Sequence, residues 1–158
     1  GDSSSVDSGD SQSQGVAVQV HSFELWDRAG QLVAGDLGYS NGGVYTSMTG
    51  FRKGTIDGAG SIQMVATAAL LRSMGYQWWD LGYVMEYKTK LGATIINSET
   101  FLSRLHKDRD IPVSFGIKGH ICAGELVTEL LAFTREAKRD PGHIHSTPAT
   151  ILGDSDPA

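Results

Sequence analysis

Three stretches with strand chemistry crowd into the first third of the chain, and the turns between them leave little freedom in how they pair. VAVQVHSFELWD (16–27) alternates apolar and polar residues and is rich in Val, Phe and Trp, the pattern of a half-buried strand. After the turn DRAGQ, LVAGDLGYS is a second strand, Asn41-Gly42-Gly43 is a hairpin signal, and VYTSMTGF is a third strand. A tight hairpin joins antiparallel neighbours, so an antiparallel meander is predicted. Gly35 and Gly38 inside the second strand predict a bulge or a close backbone approach.

The apolar period changes after residue 51. RKGTIDGAG (52–60) is a glycine-rich loop feeding SIQMVATAALLRSMG, where Ile62, Val65 and Ala69, and about a turn on Met64, Ala68 and Leu71, make a broad apolar surface. Ser61 is the expected N-cap of this helix and Gly75 its left-handed terminator. YQWWDL then reads as a buried strand, VMEYKTKLG as a short helix or turn closed by Gly92, and ATIIN as another strand. SETFLSRLHKD is a helix with Ser98 as cap and Glu99 in its first turn. Beyond Pro112, HICAGELVTELLAFTREAKRD (120–140) is a last amphipathic helix, with Cys122 on its apolar face. A meander followed by helix–strand alternation gives a mixed α/β (α+β) sheet flanked by helices. Residues 16–140 form the domain. Residues 1–15 are too polar to offset the entropy of ordering and read as a disordered lead-in or linker, and 141–158 as an irregular tail.

With 18 acidic and 13 basic residues among 158, the net charge is −5, so bulk electrostatics do not advertise nucleic acid. Arg52, Lys53, Lys88 and Lys90 read as solvated charges that border a local basic rim. Cys122 is the single cysteine, which excludes a disulfide framework and a thiolate metal cluster and fits a reducing compartment. No apolar run is long enough to cross a membrane and no signal peptide is visible, so a cytoplasmic, membrane-free protein is expected. The five histidines are scattered; His143 and His145 lack a nearby carboxylate or thiol, and no metal is expected.

The stretch WWDLG (78–82) ends an aromatic strand on a carboxylate, Asp80, which either caps the following loop or does chemistry. Beside two indoles, desolvation favours the protonated carboxyl, the direction a general base exploits. Together with HSFELWD (21–27), LVAGDLGY (32–39), GGVYTSMTGF (42–51), the helix 61–74, LGA (91–93) and TFLSRL (100–105), this stretch resembles, in collinear order, the C-terminal acetyltransferase-like (GNAT-like) domain of the leucyl/phenylalanyl-tRNA–protein transferases. Such enzymes move Leu or Phe from the 3′ end of a charged tRNA to the N-terminal amine of an acceptor protein, creating an N-degron for protein degradation, without metal or acyl-CoA.

The resemblance makes Asp80 the catalytic or orienting group. It assigns Met48, Met64, Thr67, Leu71, Trp79 and Gly82 to the substrate pocket, with Asp36 in a normally apolar position. It also departs from the family pattern: Gly82 stands where a glutamine is expected and Met48 where a glutamate is. Tyr83 or Glu86 are the candidate substitutes. Gly58-Ala59-Gly60 sits where related acetyltransferases hold the coenzyme A pyrophosphate, with Thr55 in place of their Arg or Gln. Counting back from Gly92, the acetyltransferase general-acid slot is Lys88, which leaves Tyr87 as a packing or surface tyrosine. The resemblance also implies a further N-terminal domain, or a homo-oligomer in its place. Two alternatives stand beside it: an acyl-CoA-dependent N-acyltransferase using acetyl-CoA, and a non-catalytic aminoacyl- or peptide-binding relative.

Overall fold

In the computed structural model, residues 16–117, 119–139 and 149–152 are described. The predicted meander is present: β1 (Gln19–Trp26), β2 (Leu32–Asn41) and β3 (Val44–Arg52) pair antiparallel in sequence order. Helix α1 (Ala59–Ser73) crosses over to β4 (Trp78–Tyr83), which lies parallel to β3. The one-turn helix α2 (Glu86–Lys90), β5 (Thr94–Ile96), α3 (Ser98–Asp108) and α4 (Ala123–Arg139) follow. Within the tail read as irregular, Ala149–Leu152 forms a further strand, β6, inserted parallel between β4 and β5. The six strands run in the order β1-β2-β3-β4-β6-β5, a mixed sheet with helices against it, which is the expected α+β class. Residues 1–15 lie outside the described residues.

Two helix starts differ from the sequence reading. Helix α1 begins at Ala59 after Gly58 in a left-handed conformation (φ 75°), with no side-chain cap, so Ser61 lies inside the first turn. The cap of α3 is Asn97, whose side chain accepts the Thr100 N–H at 2.9 Å, one residue before Ser98. The C-terminal signal of α1 acts as read: Gly75 is left-handed (φ 88°), and the Gly75 and Tyr76 amides close on the Arg72 and Leu71 carbonyls.

The core lies between the sheet and α1. Phe23, Tyr45, Leu71, Tyr76, Trp79 and Leu81 are buried together, with Met64 and Phe115 packed against them. On its outer side α1 packs on α4 through Ala66, Ala69 and Leu126. Cys122 precedes α4 and is exposed, which corrects its placement on a buried helix face. The opposite face of β4 rests on α3: the Trp78 ring meets Phe101 edge-on, and its Nε1 donates to the buried Asp108 at 3.0 Å.

Both glycine expectations hold in β2. A Cβ on Gly35 would strike the Phe51 ring, and one on Gly38 would strike Tyr45 and the Thr46 carbonyl. The register shifts at Gly38, where Met48 is the extra residue of β3. The hairpin turn is anchored from two sides: Gly43 donates to the Asp108 carbonyl at 2.9 Å, and its own carbonyl accepts the Gln77 amide at 2.8 Å.

Candidate active site

Strands β3 and β4 pair only through Val44–Trp78, Tyr45–Trp79 and Thr46–Asp80, although β3 runs on to Arg52. Beyond Asp80 these two strands no longer pair with each other, although β3 stays paired with β2 and β4 with β6 at Tyr83–Leu152. Ionisable side chains that would be costly in a closed sheet are found at this opening.

Asp80 is 8 % exposed. Its Oδ1 accepts the Gly82 N–H at 2.9 Å, and the Thr46 hydroxyl on β3 also bonds the carboxylate. Burial pushes its pKa above the ordinary aspartate value; the Gly82 amide, the Thr46 hydroxyl and the charge of Lys88 pull against that rise without reversing it. Gly82 itself is left-handed (φ 69°), which suits a residue without a side chain. Asp80 therefore caps its own loop and also remains a desolvated carboxylate of raised basicity.

Lys88 corrects the sequence reading most sharply. Expected as a solvated charge, it is only 9 % exposed. Its Nζ donates to the Leu81 carbonyl at 2.6 Å and to the Tyr83 carbonyl at 3.1 Å. Burial lowers its pKa, and the negative charges of Asp36 and Asp80 partly restore it. The other members of the expected basic rim differ: Arg52, Lys53 and Lys90 are exposed, and Lys90 pairs with Glu86 at 2.7 Å. Neither candidate substitute for the relay position reaches inward, since Tyr83 is 86 % exposed and Glu86 is engaged with Lys90.

A second polar chain runs along the α1 face of the sheet. Trp79 Nε1 donates to Ser47 Oγ at 2.8 Å, and Ser47 and Tyr45 hydroxyls donate to Asp36 Oδ2 at 2.9 and 3.0 Å. Burial raises the Asp36 pKa against these two donors and the Lys88 charge, and burial followed by the nearby Asp36 charge raises that of Tyr45.

The remaining predicted site residues divide between regions. Leu71 and Trp79 are buried in one cluster with Met64 against it, which places three of the assigned pocket residues together, but as packed core. Thr67 is buried and accepts from Gln63 Nε2 at 2.9 Å; both line a cavity of about 590 Å³ between β1, α1 and the segment before α4. Met48 is 61 % exposed on the bulge of β3. Strand alternation turns Trp79 towards α1 and Asp80 to the opposite face, the one Trp78 shares. Gly58, Ala59 and Gly60 form the uncapped start of α1: Ala59 is buried against Val33 and Ala34, and the Arg52 side chain passes beside Gly60.

A family model described as leucyl/phenylalanyl-tRNA protein transferase matches residues 12–106, well over half of the chain. The chain belongs to the leucyl/phenylalanyl-tRNA protein transferase family. No curated protein gave a match. The matched span contains Asp36, Asp80, Gly82 and Lys88, and reaches into α3; α4 and β6 lie beyond it. Transfer chemistry of this family takes an aminoacyl-tRNA and a protein as reactants. Among the described residues no helix is long and apolar enough to cross a membrane, and no three His, Cys, Asp or Glu side chains converge as metal ligands.

The buried lysine and the Asp36 chain are what the sequence reading missed. Asp36 was visible as a polar residue in an apolar strand context. Lys88 had one signal, its occupancy of the slot counted back from Gly92, but nothing local distinguished its burial from the exposure of Lys90.

Proposed function

We propose that this chain transfers an apolar amino acid, Leu or Phe, from aminoacyl-tRNA to the N-terminal amine of an acceptor protein, with Asp80 as the group that receives or orients the amine proton. The observation that supports this reading is the desolvated Asp80 carboxylate where β3 and β4 part, within the matched span. In the reaction the amine nitrogen bonds to the ester carbonyl carbon, and the carbon–oxygen bond to the terminal ribose breaks. One amine proton passes to Asp80 and then to the leaving ribose oxygen, so the carboxylate is regenerated. Asp80 can act from its buried position because a raised pKa brings it closer to that of its proton donors.

In this reading no metal or coenzyme is required, the product is an N-degron, and the reaction belongs in the cytoplasm, where charged tRNA and nascent proteins coexist. The parallel β3–α1–β4 unit with a parted strand pair supports an acetyltransferase-like sheet. The resemblance assigns the apolar side chain of the amino acid to Met48, Met64, Thr67, Leu71 and Trp79. In the structure Met64, Leu71 and Trp79 are packed core on the α1 face, Thr67 lines the β1–α1 cavity and Met48 is exposed, so the reading is carried by Asp80 and not by a shared pocket.

The test is incubation with radiolabelled Leu-tRNA or Phe-tRNA and an Arg-initiated reporter protein. Label is expected on the reporter with the natural chain, and Asp80→Asn is expected to reduce the rate by about 100-fold or more. Full activity in Asp80→Asn removes Asp80 from the mechanism. Absence of transfer, with acetyl transfer from acetyl-CoA instead, establishes the acyltransferase alternative. Gly82 and Met48 favour one further reading, a non-catalytic binder; transfer appearing only in Gly82→Gln with Met48→Glu identifies it.

A further inference from the structure

A lysine is rarely buried unless its ammonium is both hydrogen-bonded and electrically compensated. Lys88 meets both conditions at the parted end of β4. The Leu81 and Tyr83 carbonyls, two residues apart on one strand, converge on its Nζ, while the amide of the residue between them, Gly82, is held by Asp80. The peptide groups around Gly82 are thus fixed by two buried side chains of opposite charge. β4 has no β3 partner beyond Asp80, so Lys88 supplies donors that β3 no longer provides.

The charge has a second consequence. Lys88 lies within electrostatic reach of Asp36 on β2 and Asp80 on β4. The titratable and charged groups around Lys88 are Asp36, Tyr45 and Asp80 on the strands and, on α2 itself, the exposed Glu86–Lys90 pair; Tyr76 and Asp108 lie towards the origin of β4. Lys88 is the buried cation among them. Burial disfavours ionisation of both carboxylates; their hydrogen-bond donors oppose that effect first, and the Lys88 charge acts in the same direction as the donors.

We propose that Lys88 is the positioning residue of this site: its two carbonyl contacts fix the backbone around Gly82, and its charge adds to the Gly82 amide and the Thr46 hydroxyl in favouring the ionised form of Asp80 for the incoming amine. The second half of this proposal rests on the transferase reading; the first does not. The electrostatic sign follows directly. A nearby cation favours the carboxylate, so removing it moves the Asp80 titration to higher pH.

Lys88→Met, close in volume and uncharged, is expected to lower kcat for transfer about 10-fold or more near neutral pH, with KM within about twofold, and to displace the acid limb of the pH–rate profile upward. The Asp80 carboxylate titration, followed by carbon NMR, is expected to move in the same direction. An equal loss of kcat at every pH, or an Asp80 titration that stays in place, overturns the proposal. If Lys88→Met does not fold, Asp80→Asn serves instead. Coupling is reciprocal, so the Lys88 ammonium then titrates at lower pH than in the natural chain, and an unchanged Lys88 titration overturns the proposal. Both titrations remain decisive if the natural chain shows no transfer, which separates failure of the coupling from failure of the transferase reading.

Discussion

Asp80 sits where its own charge is disfavoured, and that has a thermodynamic sign. Because burial raises its folded pKa above the unfolded value, the native state holds more protons than the unfolded state between the two values. The cost of the buried charge is fully present above the raised value and disappears as pH falls below the ordinary aspartate pKa. Asp80→Asn is therefore expected to melt higher than the natural chain at pH 7.5, with the difference closing on acidification; calorimetry at several pH values checks this. A lower melting point for the variant at pH 7.5 contradicts it. In the proposed mechanism the same upward shift shapes the activity profile, since transfer then needs the ionised form and declines as Asp80 becomes protonated. An acid limb lying above the ordinary aspartate range is expected from single-turnover rates against pH. Stability is thus surrendered at the proposed proton acceptor, a trade common in active sites. Asp80 was legible in the sequence because a strand ending on a carboxylate after two indoles is a local anomaly. Lys88 was not, because its burial depends on how α2 lies over the end of β4, and its neighbours Glu86 and Lys90 are surface residues paired with each other.

The strands and α1 were legible because each carries its period and its punctuation within its own residues. Gly42-Gly43 turned the chain, and the apolar surface of residues 61–74 announced a helix whose terminator, Gly75, behaves as read. Boundaries were less legible for a physical reason: Asn97 and Ser98 are both good caps, and only the backbone conformation decides between them. The start of α1 escaped because Gly58 ends the loop by conformation, without a capping side chain. The hairpin turn holds more than its own shape. Gly42 is left-handed (φ 55°), and a Cβ there would collide with the main chain of Arg109 at the end of α3. Backbone against backbone cannot yield cheaply, so Gly42→Ala is expected to cost about 2 kcal/mol or more, read from the urea midpoint. Gly54→Ala serves as control, since it meets no atom within 4 Å and is not left-handed, and a small change is expected there.

At the scale of the whole molecule, the sheet is assembled from distant parts of the chain. β6, from the tail, fills the space between β4 and β5, and no turn signal or apolar period in the tail foretold that the sheet would need it. Ending the chain after Arg139 is expected to lower the thermal midpoint and to expose the β4 edge, with concentration-dependent self-association seen by light scattering. An unchanged midpoint in a monomeric truncated chain contradicts this. Strand pairing also fixes how the candidate site can deform. Gly43, Gln77 and Asp108 rivet the origins of β3 and β4 through main-chain hydrogen bonds, whereas the far ends of those strands are not laddered to each other. The gap is a wedge with a locked apex. Thr46 and Asp80 are the rung nearest the mouth, so any change in the angle between the two strands loads that pair before the rungs closer to the apex.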